Sequence, residues 1–362
     1  MRGERRIESN RDGRRVVSEG RNRGYVERPY TNRNGRVYVE RTYWVDGRRR
    51  ACAYREAEYH GVRYYNYVPV HYYHPTFYVY VGRPWGMQVR YDWGWNREPW
   101  HDYYGGYFRP EPVYPSALLW LTDFLLIENL REAYEARQEA EAQAAAYQSQ
   151  QQYQQYPPDG GNPNAGELSP QLKQAIAAEV QRQLEDERAA AQQPPPPEGY
   201  SPTGNPDTPP DALNPSRRLF IVSSNLTLPN SDGQECELSG GDLITRLDDT
   251  PGEDGKVRVS VMTSKQKECA VGSTLLVGVS DLQEMHNDFR QQVDSGMEKL
   301  ANQQGQDGIP RAPDVSTTQG EVPPPAPDQN VDRQLQEQQS QASQVETQVE
   351  QDIQADQGSS SQ

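Results

Sequence analysis

Apolar residues in this chain come in islands separated by tracts that cannot bury a core. That spacing limits the chain to several small folded parts rather than one large one. Only 34% of the residues are hydrophobic, against roughly 45–50% in ordinary soluble domains. Charged residues stand at an unremarkable 25%, so Gln, Gly, Pro, Ser and Asn fill the difference. A chain so built cannot offset its conformational entropy everywhere. The expected fold class is α+β in several parts: short β-hairpins and an aromatic segment with helices, then a small SH3-like β-barrel with a C-terminal helix, joined by long disordered linkers.

Residues 1–33 read as a disordered, Arg-rich arm. Residues 34–147 read as an aromatic β-hairpin module that closes with a helix over 116–147. Asp12-Gly13, Asn34-Gly35 and Asp46-Gly47 each precede a strand-like run, and such pairs favour tight hairpin turns. Tyrosines and tryptophans crowd residues 61–115, where they bury large rings but keep a polar atom in need of a partner. Ser116 suits a helix N-cap, and the apolar run from Leu118 to Leu130 needs cover from the aromatic segment. After a linker at 148–168, Ser169-Pro170 opens a second helix over 169–192 with a narrow stripe of Leu172, Ile176, Val180 and Leu184. Residues 193–215 are a Pro-rich linker. Residues 216–304 carry five short strand runs and then a helix marked by Ser280 and Gln283 as a capping box. Its apolar face is Leu282, Met285, Phe289, Val293, Met297 and Leu300. Residues 305–362 read as an acidic, Gln-rich tail, weakly helical or disordered.

Charge is divided unevenly. Residues 1–115 hold 21 Arg, no Lys and 13 Asp/Glu, a net +8; the rest holds 16 Lys/Arg and 39 Asp/Glu, a net −23. An Arg/Tyr-rich N-terminal region can bind nucleic acid through phosphate contacts and base stacking, or it can be an aromatic sheet with a solvated Arg face. No run is long enough to span a membrane, since Thr122 and Asp123 interrupt the longest apolar one. The opening residues Met1–Arg6 are charged and no apolar stretch follows, which by itself predicts a cytoplasmic chain.

Catalytic signatures are missing from the sequence. There is no P-loop, dinucleotide glycine motif, HExxH or nucleophile elbow, so neither an enzymatic activity nor a cofactor is expected. His71 and His74 are spaced i, i+3, which matches no zinc signature. Asp123 and Glu128 of the first helix have no His or second carboxylate at useful spacing and read as non-catalytic. Cys236 and Cys269, 33 residues apart in the barrel segment, can pair as a disulfide or stay as two buried thiols; Cys52 stands apart from them. Trp93, Trp95 and Trp100 are the candidate binding residues, as a flat surface for polysaccharide or protein. The alternative is that all three pack beneath the helix.

The stretches Val68–Phe77, Asp102–Phe108 and Val113–Asp123, with Ser169-Pro170 and Asp281–Asn287, resemble an uncharacterised family of exported, Tyr-rich bacterial proteins across most of residues 34–310. Residues 217–279, with Gly241-Asp242-Leu243-Ile244 at a strand start, resemble bacterial SH3-like barrels. The first resemblance implies a periplasmic or extracellular location, against the cytoplasmic reading of the N-terminus. Together they imply a non-catalytic structural or adhesive protein with a protein or polysaccharide partner. The alternative is a nucleic-acid-associated protein acting through its Arg/Tyr-rich N-terminal region.

Overall fold

Along the first 54 residues β-formers alternate with arginine and glutamate, and this alternation is realised as an antiparallel meander. The computed structural model describes residues 7–11, 14–18, 24–31, 37–45, 48–148, 168–193, 208–230, 235–265, 269–342 and 344–345. Among these the protein is mixed α+β, in two units. One comprises residues 1–54, 136–151 and 324–362, the other 55–135 and 152–323. The linker readings for 149–167 and 194–207, and the glycine turns at 12–13, 34–35 and 46–47, lie outside the described residues.

In the first unit, β1 (Ile7–Arg11), β2 (Arg14–Ser18), β3 (Gly24–Thr31), β4 (Val37–Val45) and the start of β5 (Arg48–Tyr59) pair in sequence order. The arm read as disordered is therefore strand wherever it is described. Several of its described arginines and glutamates face each other across strands. Arg15 lies opposite Glu27 and Glu27 opposite Arg41, with N–O distances of 3.5 and 2.9 Å. Glu8 completes the ladder on Arg15 at 2.9 Å. Opposite charges facing across strands stabilise a sheet, and the register that creates them is not visible in composition. Val16 and Val26, on the other face, pack with Val331 and Leu335. Those two belong to a helix at 331–342, so the stretch read as a weak tail is anchored there. Its side chains hold the sheet, as Gln338 Nε2 donates to Val16 O at 3.2 Å.

The second unit begins with a hairpin from β5 to β6 (Val62–Val68), turned at His60 and Gly61. Both have positive φ, 49° and 77°, as a two-residue hairpin requires. Next come β7 (His71–Tyr73), α1 (Pro75–Gly82), β8 (Pro84–Arg90), α2 (Pro99–Tyr104), β9 (Val113–Ser116) and, as far as residue 135, α3 (Ala117–Gln148). α4 (Pro170–Ala191) starts as its sequence announces: Ser169 Oγ accepts the Leu172 N–H at 3.3 Å. The C-terminal half holds β10 (Leu219–Ile221), β11 (Leu226–Pro229), β12 (Glu235–Leu238), β13 (Leu243–Arg246), β14 (Lys256–Thr263), β15 (Thr274–Gly278), α5 (Val279–Gln303) and β16 (Thr317–Gln319). A four-stranded sheet runs β10-β13-β14-β15, and β11-β12 form a separate hairpin.

Three boundaries differ from the sequence reading. α5 begins at Val279 with Gly278 as its cap, and no side chain caps it. Ser280 is thus inside the helix, and Gln283 instead accepts the Ala212 N–H at 3.0 Å. The Pro-rich linker ends early, because Ala212 and Leu213 are buried in the core of the small sheet. Residues 305–323 are no tail: β16 pairs with β7, and Ile309 is buried among the aromatic residues.

The largest difference concerns independence. Leu282 and Met285 of α5 pack on the small sheet. Phe289, Val293, Met297 and Leu300 of the same helix pack on the core formed by α3, α4 and the aromatic segment. Residues 216–304, read as a self-contained module, therefore share one core with residues 73–184. The stripe on α4 is too narrow to bury itself, and α5 and the aromatic segment cover it.

Cys236 on β12 and Cys269 lie at disulfide distance, with Cα atoms 5.1 Å apart, inside the roughly 4.4–6.8 Å that a bridge allows. Peptide mapping without reductant is expected to recover these two residues linked, and reduction is expected to cost about 3–4 kcal/mol of stability. Recovery of two free thiols would remove the bond.

Candidate ligand groove and buried polar cluster

The aromatic segment does not present the three tryptophans as a platform. Trp100 is buried. Trp93 stacks on Trp120 of α3, ring centres 5.0 Å apart, and its Nε1 donates to the Tyr114 hydroxyl at 2.8 Å. Trp95 is half-buried, edge-on to His101. A shared face for Trp93 and Trp95 would need strand backbone. Gly94 instead adopts a left-handed φ of 65° and leads into a single helical turn at Trp95–Arg97. The apolar face of α3 needs cover, and these rings supply it.

An open surface lies elsewhere in the same segment. α1, the start of β8 and the end of α4 enclose a groove of about 440 Å³, within the roughly 300–1,000 Å³ of ligand sites. Its walls are Tyr80, Trp85, Pro75, Pro84 and Pro313. Phe77 stacks behind Tyr80, and the Tyr80 hydroxyl donates to Pro310 O at 2.6 Å, so the ring is held from two sides. Arg83 and Arg188 stand exposed at the rim. Among the described residues neither is in an ion pair. Residues 75–85, 188–192 and 313 are remote in sequence, and nothing in the order of residues announces that they meet.

The richest chemistry is closed. Glu179, Gln183 and Glu187 fall at i, i+4 and i+8 on α4 and are all buried. Arg217 donates to Glu179 and Gln183, each at 3.2 Å, and pairs with Asp186. Gln183 donates to Glu187 at 2.7 Å. Burial, then the Asp294 carboxylate on α5, push the Glu187 carboxyl up to about 8, while Arg290 opposes them. Burial, then Arg217 and Arg290, hold the His286 imidazole well below its usual range and therefore neutral. Shifted groups of this kind collect at active sites. The cavity between His286, Glu179 and Arg217 measures only about 10 Å³, room for a single water. A cavity of that size has no room for an organic substrate.

Other candidate groups have local partners. His74 caps α1 by accepting the Thr76 N–H, and His71 sits edge-on to Tyr73. Among the described residues no group of three or more His, Cys, Asp or Glu is arranged to hold a metal. No described helix is long and apolar enough to cross a membrane. On the N-terminal sheet, Arg14, Arg15, Arg28, Arg41 and Arg49 each meet a carboxylate. Comparison with protein families, with curated proteins and with solved structures finds no match to this chain.

Proposed function

We propose that this chain is a non-catalytic, exported protein of the cell envelope or extracellular space, structural or adhesive in role. It holds a polysaccharide or protein partner in the groove walled by Tyr80 and Trp85. One observation carries this reading: the groove joins ring and proline walls to two arginines with no ion pair among the described residues. Aromatic faces stack on sugar or proline rings, and guanidinium forks recognise carboxylate or phosphate bidentately. The preferred ligand is therefore an acidic glycan of the wall. The Cys236–Cys269 pair supports an oxidising compartment, in keeping with the resemblance to exported proteins. Residues 217–279 belong to this reading as an SH3-like barrel, which positions α5 beneath the aromatic core.

Insoluble cell-wall glycan is expected to retain the full chain at low salt and to release it as salt rises, because the arginine contacts are exposed and screened. Arg83→Ser/Arg188→Ser is expected to weaken retention about tenfold or more, the loss of at least one charge-assisted contact. Trp95→Ala, outside the groove, is expected to leave it unchanged. No retention of the wild type, or equal retention of the arginine variant, would overturn the glycan reading.

A further inference from the structure

We propose that Lys173 and Asp123 condense into an intramolecular isopeptide bond that staples α3 to α4. Asp123 on α3 has its carboxyl wholly buried, and Oδ1 lies 2.7 Å from Lys173 Nζ. The two oxygens of this carboxyl are not equivalent. Oδ2 accepts the Tyr114 hydroxyl at 2.6 Å and the Glu111 backbone N–H at 2.8 Å. Oδ1 has Lys173 Nζ as its partner, and both atoms are shut off from solvent. The amine is thus held against the carboxyl as a buried ion pair. Glu111 Oε1 stands 3.7 Å from the same Nζ.

This arrangement matches what amide formation needs. Proton transfer from the ammonium to Oδ1 leaves a neutral amine and a carboxylic acid. Burial already favours the acid form of Asp123, with Lys173 and Tyr114 opposing. Nζ then attacks Cγ, and the negative charge develops on Oδ2, where two donors wait for it as in an oxyanion hole. Glu111 takes the proton from Nζ and returns it to the Oδ1 hydroxyl, which leaves as water. The Nζ–Cγ bond forms, the Cγ–Oδ1 bond breaks, and one water is released for each amide made. No oxidant or cofactor enters. Phe108, whose ring centre lies 5.6 Å from Nζ, and Tyr114 keep the site poor in water, which protects the product. Trp93 contributes through its hydrogen bond to the Tyr114 hydroxyl. That is a positioning role rather than the ligand contact its sequence suggested.

The test is the mass of the full chain, reduced and denatured. The wild type is expected to be lighter by one water, with proteolysis recovering a branched peptide that joins the Asp123 and Lys173 segments. Lys173→Arg is expected to show full mass, and Glu111→Gln to acquire the bond more slowly while keeping the fold. A wild type of full mass overturns the proposal, whatever the variants do. So does a lost water confined to one unbranched peptide, as a succinimide would give. A Glu111→Gln chain that condenses at the wild-type rate removes Glu111 from the mechanism.

Discussion

Folding stability is expected to be greatest in mildly acidic solution and to fall steadily as pH rises through 8, with Glu187 the main cause. In the folded chain burial lifts this carboxyl from 4.5 to about 8. The folded state therefore holds a proton that the unfolded chain gives up at lower pH. The contribution is whole below 4.5 and is lost as pH climbs to 8. At about 1.4 kcal/mol per pKa unit the loss is on the order of 5 kcal/mol, a large share of a typical domain's stability of roughly 5–15 kcal/mol. His286 acts with the opposite sign. Its folded value lies well below 6.5, so its contribution is whole above 6.5 and falls as pH drops. Between 4.5 and 6.5 the two slopes oppose; above 6.5 the Glu187 slope is left without its counterweight.

The surroundings of the pair set the details. Arg217 and Arg290 favour ionised Glu187, and Asp294 disfavours it. Glu179, also raised by burial, adds to the alkaline loss, as does Asp123 for as long as its carboxyl is free. Glu187→Gln keeps an acceptor for the Gln183 amide and cannot ionise. Urea unfolding across a pH series is expected to show most of the loss between 6.5 and 8 gone in this variant. A variant whose profile parallels the wild type would mean that Glu187 ionises freely in the folded protein.

The second large effect is expected at Gly296, in mid-helix on α5. A methyl group there would lie 2.2 Å from Leu121 Cδ1 and 2.7 Å from Phe124 Cδ1, far inside contact distance. Helix propensity alone favours Gly296→Ala by about 1 kcal/mol. Overpacking a core costs about 1–3 kcal/mol. Leu121 and Phe124 are both buried and have little room to yield, so the clash should win. A net loss of about 1–2 kcal/mol is expected for Gly296→Ala, and a larger one for Gly296→Val. Leu121→Val shortens the closer obstacle and is expected to recover part of the loss in the double variant, a coupling of about 0.5–3 kcal/mol. A stabilised Gly296→Ala would show that α3 and α5 do not approach so closely.

Local chemistry was legible in the order of residues. The Ser169-Pro170 start of α4, the helix after Ser116 and the strands of residues 37–45 follow from propensities and caps that act within a few positions. The meeting of Cys236 and Cys269 was also open to inference, since both fall within one small β-rich region. Whatever depended on distant partners was hidden. The first 33 residues looked too polar to fold, yet register sets Arg15 against Glu27 and Glu27 against Arg41, and the charges cancel across strands. Nothing near Glu179, Gln183 and Glu187 in the sequence announces their burial, which follows from Arg217 and α5. Trp93 looked like a ligand contact, and Trp120 claimed it for the core. Asp123 had no partner within helical reach, because Lys173 stands 50 positions further along. Propensity and periodicity are properties of a few neighbouring residues. Whether a polar side chain is buried, and which group then satisfies it, is decided only when the tertiary fold brings remote segments together.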